Sequence, residues 1–411
     1  MKILVQKFGG TSVASEEVRI AAATHIEAAL AAGYQVVVVV SAMGRRGDPY
    51  ATDTLLSLID ESDRVSKRDL DVLMTCGEAI SAVVFAGMLR RRGHQVTVLN
   101  GQQAGIITND EFGSARILEI KTDRVIDELR AGRIVVVMGF QGGTANGDAT
   151  TLGRGGSDTS ATALGVALNA EYVDIFTDVE GIMTADPRIV DNARRLHSMT
   201  YTEICNLAYQ GAKVIHPRAV EIAMQRNIPI RVRSTLSNDE GTLVSSQAAL
   251  VEPETLSDRL ITGVTQTPHI TQIILEGDGV GRLNVFAAMG ESGISTDFIS
   301  VSPDRISYTV SHADTPKALR RLEDMGLVAK TVEDCVKVAV VGAGIAGMPG
   351  VMARIFKALA DENIDILQSA DSHTTIWCLV RGEQMQPAVR ALHRAFNLDD
   401  GSVNSISISK E

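Results

Sequence analysis

Val36-Val37-Val38-Val39-Val40-Ser41-Ala42-Met43-Gly44 is a run of five β-branched residues that ends in a hydroxyl and a small-residue turn. An unbroken valine run of this length fits a strand buried on both faces, because a strand with one wet face would alternate apolar and polar residues. Similar runs occur at Ile3 to Gln6, Val96 to Leu99, Ile134 to Met138, Val173 to Phe176 and Ile230 to Val232, each followed by a glycine or hydroxyl turn and a stretch of helical period. This rhythm, which lasts to about Arg233, predicts an α/β domain with a mainly parallel sheet sandwiched by helices. Ligands of such sheets bind at the carboxyl ends of the strands, so the polar turns there are the candidate sites.

The chain has 411 residues, enough for two or three domains at roughly 150 residues each. Hydrophobic residues make up 45% and charged residues 22%, the balance of a globular chain. Lys and Arg total 39 against 50 Asp and Glu, a net charge of −11. Bulk charge of this sign disfavours nucleic acid and anionic membrane as partners, so any bound anion needs a local cationic site. No apolar stretch reaches the roughly 18 residues that a membrane span requires, and the expectation is a soluble cytoplasmic protein. Cys76, Cys205, Cys335 and Cys378 are scattered, the eight histidines share no ligand spacing, and no metal site is expected from them.

From Ser234 to Arg259 the strand rhythm gives way to Ser, Asn, Asp, Glu and Pro, which reads as a linker over 234–259. Beyond it a repeat recurs at an offset of 70 residues: Phe286 with Phe356, Ile294 with Ile364, Val310 with Val380, Leu322 with Leu392. Each copy runs strand, glycine loop, helix, strand, strand, helix. Two small βαββαβ modules are expected, over 260–335 and 336–411, after a domain at 1–233.

Several turns carry chemistry. Lys7-Phe8-Gly9-Gly10-Thr11-Ser12 joins a lysine to two glycines whose backbone N–H groups suit phosphate oxygens, although a glycine turn capped by Thr11 would look alike. Thr151-Leu152-Gly153-Arg154-Gly155-Gly156-Ser157-Asp158-Thr159 sets a guanidinium, N–H groups and a carboxylate at one helix start. Thr177-Asp178 ends a strand and offers polar groups to a ribose or base, and the turn Asp186-Pro187-Arg188 offers Arg188 to phosphates. Lys213, beside Gly211, is either a second phosphate lysine or a solvated surface one. Glu78, read as a helix-start residue, either receives a substrate amine or satisfies the helix dipole; Ser41 is an oxyanion donor or a turn residue. Gly342-Ala343-Gly344-Ile345-Ala346-Gly347 fits the dinucleotide fingerprint, yet it sits in the second repeat without a βαβ continuation, and a glycine loop before an effector-binding helix is preferred.

Assembled, these segments resemble the aspartokinases, an amino-acid kinase fold followed by two ACT modules. The resemblance rests on Lys7 to Ser12, Ser41-Ala42-Met43-Gly44, Gly77-Glu78, Gly139-Phe140-Gln141-Gly142, Thr151 to Thr159, Thr177-Asp178-Val179, Asp186-Pro187-Arg188 and Arg231-Val232-Arg233-Ser234. The stretches Met43 to Asp53 and Gln368 to His373 look like the diaminopimelate-responsive type of spore-forming bacteria. The resemblance implies transfer of the γ-phosphoryl group of ATP to the β-carboxylate of L-aspartate, with Mg²⁺ bridging the phosphates. Rival readings are a kinase acting on glutamate and a non-catalytic amino-acid sensor.

Carried over by resemblance, Lys7, Asp158 and Lys213 are catalytic. Lys7, Phe8, Gly9, Gly10, Thr177, Asp178, Met183, Arg188 and Lys213 hold the nucleotide, with Gly9 and Gly10 as N–H donors and Met183 where many relatives place a tyrosine. Ser41, Thr52, Glu78, Arg154 and Asp158 hold aspartate, Arg154 on its α-carboxylate and Glu78 and Asp158 toward its ammonium. The ACT pair implies an amino-acid effector (lysine, threonine or diaminopimelate) at Gly279, Val280, Gly281, Asp297, Gln368 and Asp371. Val280-Gly281 stands where the second copy keeps Pro349-Gly350, a departure at the first effector site. At least a homodimer through the ACT modules is expected, with an element near Ile261 to Val264 crossing between modules.

Overall fold

The computed structural model describes residues 1–212, 214–246, 261–277, 284–342, 345 and 348–399. They fall into two compact units. The first holds residues 1–182, 195–208 and the described part of 213–256; the second holds 183–194, 209–212 and the described part of 257–411.

The strands of the first unit are β1 (Ile3–Phe8), β2 (Gln35–Val40), β3 (Val96–Leu99), β4 (Ile106–Thr108), β5 (Ile117–Ile120), β6 (Ile134–Met138), β7 (Gln141–Gly143), β8 (Ala149–Thr151), β9 (Tyr172–Thr177), β10 (Ser198–Thr200), β11 (Ile230–Ser234) and β12 (Thr242–Ser245). Eight of them form one sheet in the order β10-β12-β11-β9-β1-β2-β6-β3, parallel except where β11 meets β12. All six runs expected as strands lie in it. Strand β12 falls within the stretch expected as a linker; its four residues are too short to show periodicity, and pairing with β11 decides their conformation.

The valine run of β2 is buried on both sides for the expected reason. Leu4, Phe8, Val36, Val38, Val40 and Val136 pack with Ile26 of the helix Glu16–Ala31 and with Phe85 and Leu89 of the helix Lys67–Arg91. On the opposite face Val5 and Val173 meet Gly165 of the helix Gly156–Ala167, where a Cβ would strike the Val173 side chain. Contrary to the expectation that no apolar stretch is long enough, the helix Lys67–Arg91 is long and apolar enough to cross a membrane by length and composition. Here it carries two buried carboxylates, Asp71 and Glu78. Strands β5-β4-β7-β8 make a second, four-stranded sheet that the sequence did not announce.

One charged residue lies inside the main sheet. Asp174 of β9 is fully buried and accepts from Arg231 of β11 (2.6 Å to Nε, 3.0 Å to Nη2) and from Gln6 of β1 (3.3 Å), with Arg233 Nη1 at 3.6 Å. It thereby ties three adjacent strands.

The second unit holds β13 (Gly263–Glu276), β14 (Asp297–Val301), β15 (Arg305–Ser311), β16 (Ala329–Val341), β17 (Gln368–Asp371) and β18 (Thr375–Arg381), in the order β14-β15-β13-β16-β18-β17. The repeat is visible in the elements, since 305–311 corresponds to 375–381 and the 3₁₀ turn 312–314 to 382–384. The two copies share strands. Ile270 to Glu276 of β13 pair with β15, while Gly263 to Thr267 pair with Val341 to Lys337 of β16, whose other neighbour there is β18. The crossing element expected near Ile261 to Val264 is therefore the first half of β13. The expected boundary at 335/336 falls inside β16, because both modules use that strand. Separate cores form around Tyr308, Met289 and Leu322 in the first module and around Ile355, Val380 and Leu392 in the second. The second core also takes in Ala185, Ile189 and Val190, so a piece of the stretch expected within the first domain packs here.

Removing the Asp174 carboxylate leaves Arg231 without its buried partner. Asp174→Ala is expected to cost roughly 3–5 kcal/mol, read as a lower denaturant midpoint; an unchanged midpoint would show that the pair does not hold the sheet together.

Candidate active site

Side-chain alternation along β1 sends Phe8 into the core, stacked on Phe176 at 4.7 Å, and sends Lys7 to the other face. There Lys7 Nζ lies 2.7 Å from Asp158 Oδ1 in the first turn of the helix Gly156–Ala167, each side chain only 12% exposed. The second oxygen of Asp158 accepts the backbone N–H of His216 at 3.2 Å. Gly155 caps this helix with φ of +68°, and a Cβ there would fall on the His216 ring, so the turn needs glycine on both counts.

Beside the pair opens a cavity of about 480 Å³. All five residues expected to hold the amino-acid substrate line it: Ser41, Thr52, Glu78, Arg154 and Asp158. Lys7 and Gly10 line it as well. Ser41 sits at the tip of β2, Thr52 opens the short helix Thr52–Leu56, and the guanidinium of Arg154 has no partner among the described residues. Gly10 is close-packed, with Gly44 donating to its carbonyl at 3.0 Å, and a Cβ on it would lie 2.5 Å from the Gly44 carbonyl.

Glu78 is not a helix-start residue: it lies in the middle of Lys67–Arg91, because the helix runs on through Cys76-Gly77 without a break. The dipole explanation for it therefore falls away. It is 2% exposed, its Oε1 accepts the Ala42 N–H at 3.1 Å, and its Oε2 has no partner among the described residues. Burial pushes its pKa up to about 8. An unpartnered buried carboxyl oxygen facing a cavity is suited to a cationic ligand.

The other nucleotide-site expectations divide. Thr177 donates to Asp178 at 3.1 Å at the tip of β9, and Asp178 forms an ion pair with Arg45. The Gly9 N–H is taken by the Phe176 carbonyl at 3.3 Å, so Gly9 is not the free donor expected; it caps the short helix Gly10–Val13, the position that the alternative reading gave to Thr11. Met183 and Arg188 belong to the second unit, where Arg188 pairs with Asp186 at 2.7 Å. Lys213 lies outside the described residues, as do Gly279, Val280 and Gly281. Of the effector residues, Asp297 pairs with Lys337 at 2.5 Å, and Asp371 is exposed. Gln368 is occupied by its own chain, accepting from Gln272 (2.9 Å) and Ser307 (3.2 Å) and donating to the Phe298 carbonyl (2.5 Å). Four residues of the glycine fingerprint at 342–347 lie outside the described residues.

Sequence reasoning missed two supports of the cavity wall. Asp71 is fully buried and accepts from Gly113 N (3.0 Å), Thr151 N (2.9 Å) and Thr151 Oγ1 (2.7 Å). Arg218 donates to the carbonyls of Leu152 (3.0 Å) and Ala115 (3.2 Å). Asp71, Met74 and Glu78 share one face of the helix, a spacing that could have pointed to Asp71 had the helix been seen to run through.

The family model described as the amino acid kinase family matches residues 2–234, and one described as an ACT domain matches 330–394. The chain is 55% identical over 403 residues to aspartokinase 1 of Bacillus subtilis, covering 97% of this chain and 100% of that one. It is 40% identical to the aspartokinase of Geobacillus stearothermophilus, covering 97% and 98%. Among solved structures, E. coli aspartokinase III in complex with aspartate and ADP (R-state) matches with TM-score 0.80 and 27% identity, over 96% of this chain and 100% of that one. The same enzyme with lysine and aspartate (T-state) matches with TM-score 0.78 and 28% identity, over 97% and 100%.

The raised pKa of Glu78 has a readable sign. Below about 8 the carboxyl is mostly protonated in the empty site and cannot receive a cation; above it the carboxylate is present. Affinity for an amino-acid substrate is expected to rise with pH through this region, and Glu78→Gln to flatten that limb of kcat/KM; the same limb in the variant would remove Glu78 from the role.

Proposed function

The chain belongs to the aspartokinases of the amino acid kinase family, and from that premise we propose how its residues move a phosphoryl group from ATP to L-aspartate. The enzyme is an allosteric aspartate kinase that makes 4-phospho-L-aspartate and ADP, the first step toward lysine, diaminopimelate, threonine and methionine. The acceptor is a carboxylate already ionised near neutral pH, so no general base is needed, and catalysis reduces to alignment and charge neutralisation.

The observation that carries the residue assignments is the convergence of Ser41, Thr52, Glu78, Arg154 and Asp158 with Lys7 on one cavity at the strand tips. In this reading Arg154 clamps the α-carboxylate through its planar fork, Glu78 receives the ammonium, and Ser41 and Thr52 complete the aspartate pocket. Asp158 holds Lys7 in place, and Lys7 with Lys213 neutralises the phosphates. Gly10 borders the phosphates, Phe8 and Gly9 shape that turn through the backbone, and Thr177 and Asp178 meet the nucleoside. Met183 and Arg188 keep the nucleotide-binding role that the resemblance implies for them. Magnesium would enter with ATP as its complex and would supply charge neutralisation at the phosphates, with few direct protein ligands.

The proposed organisation is a catalytic domain over 1–233, a connection over 234–259, and ACT modules over 260–335 and 336–411 that share strands. An end-product amino acid would bind to the ACT pair where subunits of at least a homodimer meet, with Gly279 to Gly281, Asp297, Gln368 and Asp371 near it. E. coli aspartokinase III has been solved with lysine, which supports an effector of this class. The enzyme is proposed to work in the cytoplasm.

Purified chain given MgATP is expected to release ADP with aspartate and far less with equal glutamate. Preference for glutamate would overturn the substrate, and no turnover with either would favour a sensor. Lys7→Ala is expected to lower kcat by about 100-fold or more while ATP affinity changes little, because the lysine acts on charge developing in the transition state; an unchanged kcat would refute this. Of lysine, threonine and diaminopimelate, at least one is expected to inhibit; full activity with each, alone and paired, would overturn feedback control through the ACT modules.

A further inference from the structure

Charges around the cavity pair unevenly. Lys7 is neutralised by Asp158 at 2.7 Å, and Arg45 by Asp178. Two lining guanidiniums have no partner among the described residues: Arg154, assigned above to the α-carboxylate, and Arg46. Against them stands Asp53, a lining carboxylate that is likewise unpaired among the described residues.

Arg46 is displayed by a loop whose neighbouring positions are all tied down. Gly44 N–H donates to the Gly10 carbonyl at 3.0 Å, fastening the loop to the turn after β1. Arg45 N–H donates to Asp48 Oδ2 at 2.7 Å, and Asp48 N–H returns to the Arg45 carbonyl at 2.9 Å. Gly47 N–H donates to Thr54 Oγ1 at 3.1 Å, fastening the loop to the helix Thr52–Leu56. The Arg45 side chain reaches Asp178 at the tip of β9. Gly44 and Gly47 take φ of +86° and +100°, a bend that bulky residues adopt only with strain. Four bonds and an ion pair thus anchor the residues on either side of a cation that has no partner among the described residues.

We propose that Arg46 is a catalytic residue, its guanidinium neutralising the transferring phosphoryl group and the acceptor carboxylate as they approach. The inference rests on the aspartate-kinase reading and deepens it. In the step itself an oxygen of the side-chain carboxylate bonds to the γ-phosphorus. The bond from that phosphorus to the β–γ bridging oxygen breaks, and the electron pair leaves on ADP. No proton moves, so the barrier is dominated by bringing two anions together. The Lys7 charge is already shared with Asp158, and Arg154 is committed to the other end of the substrate. A planar fork can bridge one oxygen of each reacting anion, which a point charge cannot.

Steady-state kinetics of the full chain, as wild type, Arg46→Ala and Arg46→Lys, test this with MgATP and aspartate varied separately. The alanine variant is expected to lose about 100-fold in kcat, with both KM values within about threefold of wild type, and the lysine variant to recover part of the loss. A purely structural role would instead lower the melting temperature and spread the loss over both KM values. If Arg46→Ala does unfold more easily, Arg46→Lys carries the test. A kcat within about threefold of wild type in the folded variants, or a loss confined to KM, overturns the proposal. Wild-type chain that releases no ADP with aspartate would instead sink the kinase reading itself, a result separate from any behaviour of the variants.

Discussion

The contact between Lys7 and Asp158 is the constraint around which the first unit is arranged. A lysine at the end of a central strand and an aspartate in the first turn of a helix can meet only if that helix covers the strand on the lysine's side, and the small residues of Gly156–Ala167 permit this approach. The carboxylate keeps the ammonium aimed, and the helix start beside it presents N–H groups to whatever anion enters. The pair is nearly neutral. The unpaired positive charge on the described lining therefore belongs to the guanidiniums of Arg46 and Arg154.

Fold and site were legible to different depths. Val36 to Val40 and its counterparts announced the large sheet because burial on both faces leaves no polar residue to interrupt the run. Strands β4, β5, β7, β8, β10 and β12 were not legible, being three or four residues long and decided by their neighbours. The repeat was readable from matched apolar positions at one offset. The sharing of β13 and β16 was only glimpsed, because a strand that serves two modules has the same composition as one that serves a single module.

At the site, the residues drawn together were those beside glycines and strand ends, where chemistry and backbone shape leave a joint mark. Lys7, Ser41, Arg154 and Asp158 are of this kind. Asp71 and Asp174 left no such mark: each is a buried carboxylate whose partners come from distant segments, so nothing local distinguishes it from a surface aspartate. Glu78 is marked by the glycine before it, but Cys76-Gly77 resembles a break, and only packing shows the helix continuing through it.

Strands β13 and β16 give the second unit a property that neither copy has alone. Each copy completes its sheet with a strand that also belongs to the other, so the boundary between the repeats is not a seam along which the polypeptide can be divided. A chimera that exchanged one copy for a homologue's would import an edge without its mate. Recombination, natural or engineered, can therefore trade this regulatory region only as an indivisible block.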